Sequence, residues 1–559
     1  MARDIKDRVE FDALLTASGE FGRYQILMAL AMFPFYTFVV FVYFTQLFLT
    51  EVSPNHWCWV PELENLTAME RRSLVAPPDD KTRFGYSKCR TYDVDWTNVL
   101  HTAQTPNNSW PTIPCQNGWE FNKSEIPYPT ITSEMGWVCD KDSYPATAQS
   151  AFFVGSIVGS FFIGFIADRY GRLKATIISN MMGCIFGTLS VLSTNLYDFM
   201  AYRFFTGIAY DSCRNMAYLI VLEFIVPKHR SVISNVSFAL FYSLALVVLP
   251  WIVLASGHWK IAALVTSVPI GFSLFTPLFL PESPKWLLSK GRVDEAVSKA
   301  ERVAKINKKT IPKDLIERFK ASAAQCEEDK DINILEVLKR PFLRRAFLII
   351  ILQYTCVSVT FDALFRSIKQ LDFDFFISFT LISFTEFPST FIVGFIMDIF
   401  GRKSLMFVLL TICAIFSVMT TFFSGWPSLV CAFIMRFMLN MAFNISMQWI
   451  PEILPAAVRA SGTSIVHICS FIVLIISPYI VYLEVYISWL PLVILACICI
   501  VGALTALYLP ETANREMPQT FDDAEEMVRH LKIWDFSYCI RHRKEKSGIE
   551  NPGIVLNES

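Results

Sequence analysis

The sequence contains little charge for its length. Asp, Glu, Lys and Arg make up only 18% of the 559 residues, whereas a soluble chain of this size has about three or four domains and about a quarter of its residues charged. The 49 basic and 50 acidic residues also nearly cancel. Together with the long apolar blocks described below, this composition excludes a soluble multidomain enzyme, a disordered chain and a nucleic-acid binder.

The loops also lack the motifs of catalytic sites. They contain no His-Glu-x-x-His pair, no Walker loop, no nucleophile elbow and no convincing cluster of metal ligands. Each of these patterns would place reactive groups in a defined geometry. An ATP-driven pump and a membrane-bound hydrolase are therefore disfavoured, and we expect no enzymatic activity, no cofactor and no metal site.

Apolar residues are abundant instead. They make up 53% of the chain and include 49 Phe, and the mean hydropathy is +0.41. They form blocks of about 20 residues, the length of helix that crosses a hydrocarbon core about 30 Å thick. We predict an all-α membrane protein whose twelve spans, numbered here in chain order, are residues 24–49, 145–167, 174–194, 199–222, 231–255, 259–280, 345–365, 374–397, 404–423, 427–450, 460–483 and 488–509.

The distribution of basic residues sets the orientation of these spans. The charged N-terminus before span 1 has no small-residue cleavage site, so it is not a signal peptide and is expected to stay in the cytoplasm. The inside loops that follow are rich in Arg and Lys, while the outside loops 194–198 and 424–427 have none. Arg366 and Lys369 are the exception. The positive-inside rule predicts a multi-pass plasma-membrane protein with both termini in the cytoplasm.

The segment 50–144 is predicted to be a large outside loop. It contains four cysteines, which in an oxidising compartment indicate two disulfides with three possible connectivities. Three glycosylation sequons in the same loop agree with the outside location. The cysteines are Cys58, Cys89, Cys115 and Cys139, and the sequons begin at Asn65, Asn107 and Asn122.

An internal repeat organises the whole chain. Four features recur with offsets between 229 and 233 residues: DRYGR at 168–172 as DIFGR at 398–402, Arg203 as Arg436, Glu223 as Glu452, and LPES at 280–283 as LPET at 509–512. The nearly constant offset between the matching features predicts a duplicated six-span unit. Its parts are an N-terminal half at 1–280, a cytoplasmic linker at 281–344, a C-terminal half at 345–509 and a cytoplasmic tail at 510–559.

Two parallel six-span halves form a transporter architecture in which the halves rock around a central site. Acidic and basic residues at matched positions in both halves can pair at the inner ends of the spans and close an inner gate. The alternative is that they only anchor the spans at the lipid headgroups. The predicted gating residues are Asp168, Arg169, Arg172, Glu223, Asp398, Arg402, Arg436, Glu452 and Arg459.

The motifs resemble those of a known family. Twelve spans with Asp-Arg-x-Gly-Arg after span 2 resemble the major facilitator superfamily. The cysteine-rich loop, TSEMGWVCD at 132–140, PESPKWL at 281–287 and EILPAAVR at 452–459 are similar to the organic cation, anion and zwitterion transporters of solute carrier family 22. This resemblance implies the twelve-helix major facilitator fold with two pseudo-symmetric halves, embedded in a lipid bilayer.

The same resemblance implies transport of small organic ions by alternating access, either secondary-active or facilitative. Coupling to Na⁺, coupling to H⁺ and uniport all remain open. One alternative is a sugar or other facilitator carrier, although a sugar carrier would lack the long loop and would have paired Gln in span 7, where this chain has only Gln353. Another is a receptor-like member that keeps the fold without transporting.

Ionisable residues within the spans are the candidate site, because charge inside a membrane is costly and usually functional. Asp211, Arg214 and Tyr218 in span 4 are spaced to share one helical face, although Asp211 and Arg214 could simply neutralise each other. Glu386, two residues before Pro388, resembles an acid that lines the cation path in the family. Its alternative is a carboxyl group bonded at a helix kink.

Aromatic and polar residues of other spans complete the prediction, since aromatic rings bind ammonium groups. Span 11 departs from the family, because Phe471 occupies the position that carries Asp in cation transporters and Arg in anion and carnitine transporters. His467 is the nearest polar group there, and a buried hydrogen-bonded histidine is the more common role than a proton relay. The remaining predicted residues are Tyr36, Tyr242, Tyr354, Phe361, Asp362, Phe379, Asn444 and Gln448.

A site with both signs of charge favours a zwitterion or an amino-acid-like amine. We expect its ammonium group beside Glu386 and its carboxylate beside Arg214. Compounds like carnitine, β-alanine or its histamine conjugate carcinine fit this description within the family.

Overall fold

The computed structural model describes residues 11–79, 85–102, 104–324, 335–370, 373–455, 458–513, 515, 517–518 and 520–529. Ten helical stretches in this part of the chain are long and apolar enough to cross a membrane. The two remaining predicted spans are also helical. Span 4 is divided at Tyr210, and span 12 is a 17-residue helix, Leu490–Ala506.

The helices of the first half follow the predicted order. They are Arg23–Leu30 and Phe33–Leu49 in span 1, Tyr144–Tyr170 in span 2, Arg172–Leu189 in span 3, Leu196–Ala209 and Ser212–Glu223 in span 4, Pro227–Ser237 and Ser243–Ser256 in span 5, and Trp259–Ser267 and Thr276–Phe279 in span 6. Span 5 is joined by one π-helical turn, Phe238–Tyr242, and span 6 by the 3₁₀ segment Val268–Phe275.

The second half repeats this order. Its helices are Pro341–Arg366 in span 7, Phe375–Phe384 and Glu386–Phe400 in span 8, Arg402–Thr420 in span 9, Trp426–Ile453 in span 10, Arg459–Leu474 and Ser477–Tyr482 in span 11, and span 12 as given above. Spans 8 and 11 are interrupted just before Pro388 and Pro478. A proline has no N–H to donate to the carbonyl group four residues earlier, so the helix changes direction there.

The described residues between 50 and 143 (50–79, 85–102 and 104–143) form a small folded unit on one face of the membrane bundle, which we call the loop face. Strand β1 (His56–Cys58) pairs with β4 (Trp119–Phe121), and β2 (Arg90–Tyr92) pairs with β3 (Thr112–Pro114), both antiparallel. Three short helices accompany the strands: Ala68–Val75, Trp96–Thr102 and Ile131–Met135. The disulfides are Cys58–Cys115 and Cys89–Cys139, which selects one of the three predicted connectivities.

The opposite face, which we call the tail face, holds the linker and both described ends of the chain. The linker helices are Pro284–Ser289, Val293–Ile306, Lys313–Ala324 and Leu335–Lys339. The first helix, Phe11–Ala17, packs against them through a ring contact between Phe11 and Phe319 at 6.1 Å. The last described helix, Phe521–Arg529, lies against the start of span 7, where Arg340 binds Glu525 at 3.2 Å. The basic segment 541–544 lies outside the described residues.

The interface between spans 1–6 and spans 7–12, which we call the seam, is closed at the loop face. Side-chain hydrogen bonds join the two halves in this part of the seam. Ser150 donates to the carbonyl of Ile475 at 2.7 Å. Tyr479 donates to Thr147 at 3.0 Å, and the Tyr43 hydroxyl donates to Asp362.

Candidate functional site

Arg214 of span 4 lies at the centre of the seam between two aromatic rings. Its guanidinium carbon is 5.8 Å from the ring centre of Tyr36 and 5.9 Å from that of Tyr218. It donates to the side-chain oxygen of Asn215, whose amide nitrogen in turn donates to Asp211 at 2.5 Å. No described carboxylate forms an ion pair with Arg214. Asp211 and Arg214 are therefore bridged by an amide and do not form a direct ion pair with each other.

Spans 7 and 11 of the second half face these charges. The rings of Tyr354 and His467 stack with centres 5.1 Å apart and an interplanar angle of 11°. Both rings are close enough to Asp211 and Arg214 to interact with them electrostatically. The structure thus brings together predicted residues from both halves, as a site between rocking domains requires.

Glu386 and Arg436 form a buried ion pair within the second half. Arg436 donates to Glu386 at 2.7 Å, and the side chains of Arg436 and Glu386 are 0% and 2% exposed. The guanidinium carbon also lies 3.7 Å from the ring centres of Phe361 and Phe365. The prediction that grouped Arg436 with the charges at the inner ends of the spans is corrected here, because Glu386 and the two rings hold it in the interior.

This pairing also changes the role that can be given to Glu386. Its carboxylate is already neutralised by Arg436, so it is not a free acid waiting for an ammonium group. Arg203, the repeat counterpart of Arg436, lies 5.2 Å from the ring of Phe199 and donates to Ser190 at 3.3 Å. The described residues give Arg203 no carboxylate partner. The two arginines are therefore repeated in the sequence, but only Arg436 forms an ion pair with a described residue.

Asp362 belongs to the closed loop-face part of the seam and not to an open cavity. It pairs with Arg366 at 3.0 Å. It accepts hydrogen bonds from Tyr43 of span 1 and from Ser477 of span 11, the latter at 2.6 Å. One carboxylate thereby links both halves, so the prediction that Asp362 lines the ligand site is corrected for this conformation.

Aromatic side chains close the same region. Ring centres are 4.8 Å apart for Phe44 and Phe365, and 4.9 Å apart for Phe48 and Phe379. Phe471, at the position where the family carries a charge, lies 5.9 Å from the ring of Tyr210. Phe379 and Phe471 therefore take part in ring contacts between the two halves.

The other predicted residues lie near the seam without a common role. Tyr242 stacks on Phe238 at 4.7 Å and interacts electrostatically with Glu386. Asn444 donates to the carbonyl of Asn440 at 2.8 Å within span 10. Gln448 is half-buried on the same span.

The predicted gating charges of the first half form one group on the tail face. Arg172 forms an ion pair with Glu223, which also accepts from Ser283 and from the backbone of Lys285. Asp168 and Arg169 are exposed beside it. Glu282 accepts from the backbone nitrogens of Arg172 and Leu173 at 2.9 and 3.1 Å, so a carboxylate caps the positive end of the span 3 helix.

The second half builds the same group from the repeated residues. Arg402 binds Glu452 at 2.9 Å and Asp398 at 2.8 Å. Glu511 accepts from the backbone nitrogens of Arg402 and Lys403 at 2.9 and 3.2 Å. Glu282 and Glu511 were not predicted as site residues, although their place in the repeat was the signal that could have found them. The ion pairs of Arg172 and Arg402 each stay within one half.

A glycine at the start of each group is required by geometry. Gly171 and Gly401 have φ of +109° and +83°, a backbone conformation that side chains other than glycine rarely adopt. A Cβ atom on Gly171 would also overlap the Glu282 carboxylate. The glycine in the repeated Asp-x-x-Gly-Arg motif therefore lets the capping carboxylate approach the helix.

Arg459 was predicted to belong to the second group, but it does not bind Glu452. Its guanidinium donates to the carbonyls of Leu454 at 3.4 Å and Pro518 at 3.2 Å. Arg230 occupies the matching loop of the first half and binds Asp12 of the first helix at 2.9 Å. Each loop arginine thus attaches one end of the chain to the tail face.

The charges along the seam balance one another. In the part of the seam that the structure describes, three acids, Asp211, Asp362 and Glu386, are matched by three arginines, Arg214, Arg366 and Arg436. Two of these pairs are in direct contact, and only the Asp211 and Arg214 pair is held apart. A ligand that carries two opposite charges would therefore leave the charge balance of these three pairs unchanged.

Two six-span halves that meet at a charged centre and close at one face have the architecture of a membrane transporter. The sequence model described as "Sugar (and other) transporter" matches residues 103–522. The chain belongs to this transporter family of the major facilitator superfamily, and within it to solute carrier family 22. This confirms the family and the fold class expected from the motifs.

Relatives and solved structures agree with this assignment. The chain is 29% identical to the carcinine transporter of Drosophila melanogaster, over 99% of this chain and 84% of that protein. It is 26% identical to organic cation transporter 1 of Caenorhabditis elegans (92% and 88% covered) and 26% identical to the beta-alanine transporter of Drosophila melanogaster (92% and 89% covered). The xylose transporter of E. coli in an inward open conformation shares the fold, with a TM-score of 0.57 at 14% identity over 90% of this chain and all of that one.

Proposed function

We propose that the protein carries a small zwitterion across the plasma membrane by alternating access. The observation that carries this proposal is the balance of charge along the seam, with Asp211 and Arg214 separated by Asn215. A zwitterion adds no net charge to such a site, whereas a singly charged ion leaves one charge uncompensated, which is costly when buried. The protein's work is transport and includes no chemical conversion of the solute.

The solute's carboxylate binds Arg214, as expected from the sequence. Its ammonium group binds Asp211 and the rings around it, and not Glu386, because Arg436 already neutralises Glu386. The relative named for β-alanine supports a small zwitterion, and the relative named for carcinine, an amine without a carboxylate, supports the contact with the ammonium group. β-Alanine carries the two required charges at the ends of a three-carbon chain.

The orientation follows from the loop face. Two disulfides and three sequons in residues 50–143 suit the outside of the cell, where thiols are oxidised and glycans are attached. Asn65 and Asn107 are exposed and Asn122 is half-buried. The tail face is then cytoplasmic, as are both termini, and the halves and linker divide at 1–280, 281–344, 345–509 and 510–559.

Because the loop face is closed, we assign this conformation as inward-facing in the proposal. Contacts through Tyr43, Asp362 and Ser477 break when the transporter opens outward. The charge groups around Glu223 and Glu452, which stay within their own halves here, then come together at the cytoplasmic end of the seam. They act in this way as the inner gate.

Two single substitutions with opposite charge effects test the proposal. Arg214→Gln makes the seam negative, so uptake of β-alanine should fall while preference shifts toward propylammonium. Asp211→Asn makes it positive and should shift preference toward propionate. Uptake in cells, corrected for surface expression, measures both shifts. Unaltered selectivity in both variants would contradict a site formed by these two charges.

Transport of a simple organic cation is the second candidate. Arg214 aside, the seam is rich in aromatic rings that bind cations, and one relative is named an organic cation transporter. Preference of the unmodified protein for propylammonium over β-alanine would favour it. Saturable sugar uptake would favour a sugar carrier, and a flat uptake screen would favour a receptor-like member. Replacement of Na⁺ and variation of pH in the same assay identify the coupling ion.

A further inference from the structure

His467 of span 11 has a ring nitrogen that the fold leaves unsatisfied. Its Nε2 is buried and has no hydrogen-bond partner among the described residues. A buried polar atom without a partner is destabilising and rare in native proteins, so it requires an explanation.

Packing accounts for an aromatic ring at position 467 but not for the ring nitrogen of His467. The imidazole stacks on Tyr354, and a phenyl ring would stack there as well. One turn further along the span, Phe471 already fills an equivalent place against Tyr210. A histidine at position 467 therefore supplies something that an apolar ring does not.

The surroundings of His467 indicate what that is. The ring is half-buried on span 11 of the second half and is close enough to Asp211 and Arg214 of the first half to interact with them electrostatically. Tyr354 turns its hydroxyl toward Met447 at 3.9 Å, so it does not satisfy the histidine. His467 is therefore a polar group of span 11 that lies across the seam from the central charges, within reach of their electrostatic field.

We propose that His467 Nε2 donates a hydrogen bond to the carboxylate of the transported solute and shares that carboxylate with Arg214. This inference rests on the proposed zwitterion function. The two donors come from opposite halves, so a bound carboxylate joins the halves at the centre of the seam. A neutral donor adds selectivity for a carboxylate without changing the charge balance.

The test is binding to the purified full chain in lipid nanodiscs, with β-alanine and propylamine as probes. His467→Phe keeps the stacked ring and removes the nitrogen. It should raise the Kd for β-alanine about tenfold, as expected for a lost hydrogen bond to a charged group, and leave the Kd for propylamine within about twofold. His467→Gln restores a side-chain N–H donor and should recover part of the affinity for β-alanine.

His229→Phe is the matched control, because it makes the same substitution on the tail face, where the ring lies 5.4 Å from Phe21. It should leave both Kd values unchanged. Equal weakening of both probes by His467→Phe, or no weakening of either, would overturn the carboxylate contact while leaving the zwitterion function intact. Failure of the unmodified protein to bind β-alanine would overturn the function and this contact together.

Discussion

Glu386→Gln removes one charge from the buried pair that Glu386 forms with Arg436, and it should destabilise the protein strongly. At the observed separation of 2.7 Å and an effective dielectric constant of about 20, the gross attraction is about 6 kcal/mol. Desolvation of both groups offsets much of it. Removal of one partner leaves the other charge buried alone, which costs about 3–5 kcal/mol.

Chemical unfolding of the purified protein in detergent measures this loss. Glu386→Gln combined with Arg436→Gln should recover about 2 kcal/mol or more, because the buried charge is then gone. Asp398→Asn is the matched control, since its side chain is 65% exposed and an exposed pair contributes at most about 1 kcal/mol. A loss below about 1 kcal/mol for Glu386→Gln, or a double variant less stable than the single one, would refute the reasoning.

Three further predictions concern the two faces of the protein. Tyr43→Phe removes the hydroxyl that bonds Asp362 and should loosen the closed loop face. A reporter cysteine introduced by Phe471→Cys should therefore react about tenfold faster with an impermeant thiol reagent in the Tyr43→Phe background than in the background with Tyr43. An unchanged rate would argue that this hydrogen bond does not hold the loop face closed. Burial, with the charge of Lys88 second, lowers the pKa of His56 from 6.5 to about 4. Because the unfolded chain then binds the proton more tightly, stability is full above pH 6.5 and falls by about 2 kcal/mol at pH 5. Unfolding curves at both pH values should show this loss, and His56→Gln should abolish it. Asp12→Asn breaks the partly exposed ion pair with Arg230 and should speed proteolysis of the first helix by less than about fivefold. A larger effect would mean that this ion pair contributes more to stability than its exposure implies.

The fold and the residue classes of the site could be predicted because they depend on short-range patterns. Block length indicates membrane spans, matched offsets indicate duplication, and the spacing of Asp211, Arg214 and Tyr218 places them on one helix face. The four cysteines of the loop indicate two disulfides. Their pairing required the structure, because sequence spacing does not say which strands lie side by side.

The partners of the charges could not be predicted in the same way. Helical periodicity says which residues share a face, but not which face of another span they meet. The sequence alone therefore does not show that Arg436 of span 10 lies against Glu386. It also does not show that Tyr43 and Ser477 bind Asp362, which was predicted to contact the ligand. Arg459 shared the repeat with true ion-pair residues, yet its role is set by the chain end that packs beside it.

The central claim is that the seam takes a solute with two opposite charges. It is tested most directly by transport of three compounds with the same three-carbon chain into proteoliposomes that contain the unmodified protein. The charge balance around Asp211 and Arg214 predicts that kcat/KM for β-alanine exceeds the values for propylammonium and for propionate by about 100-fold, the effect of one uncompensated buried charge. Equal or higher values for either single ion would contradict it.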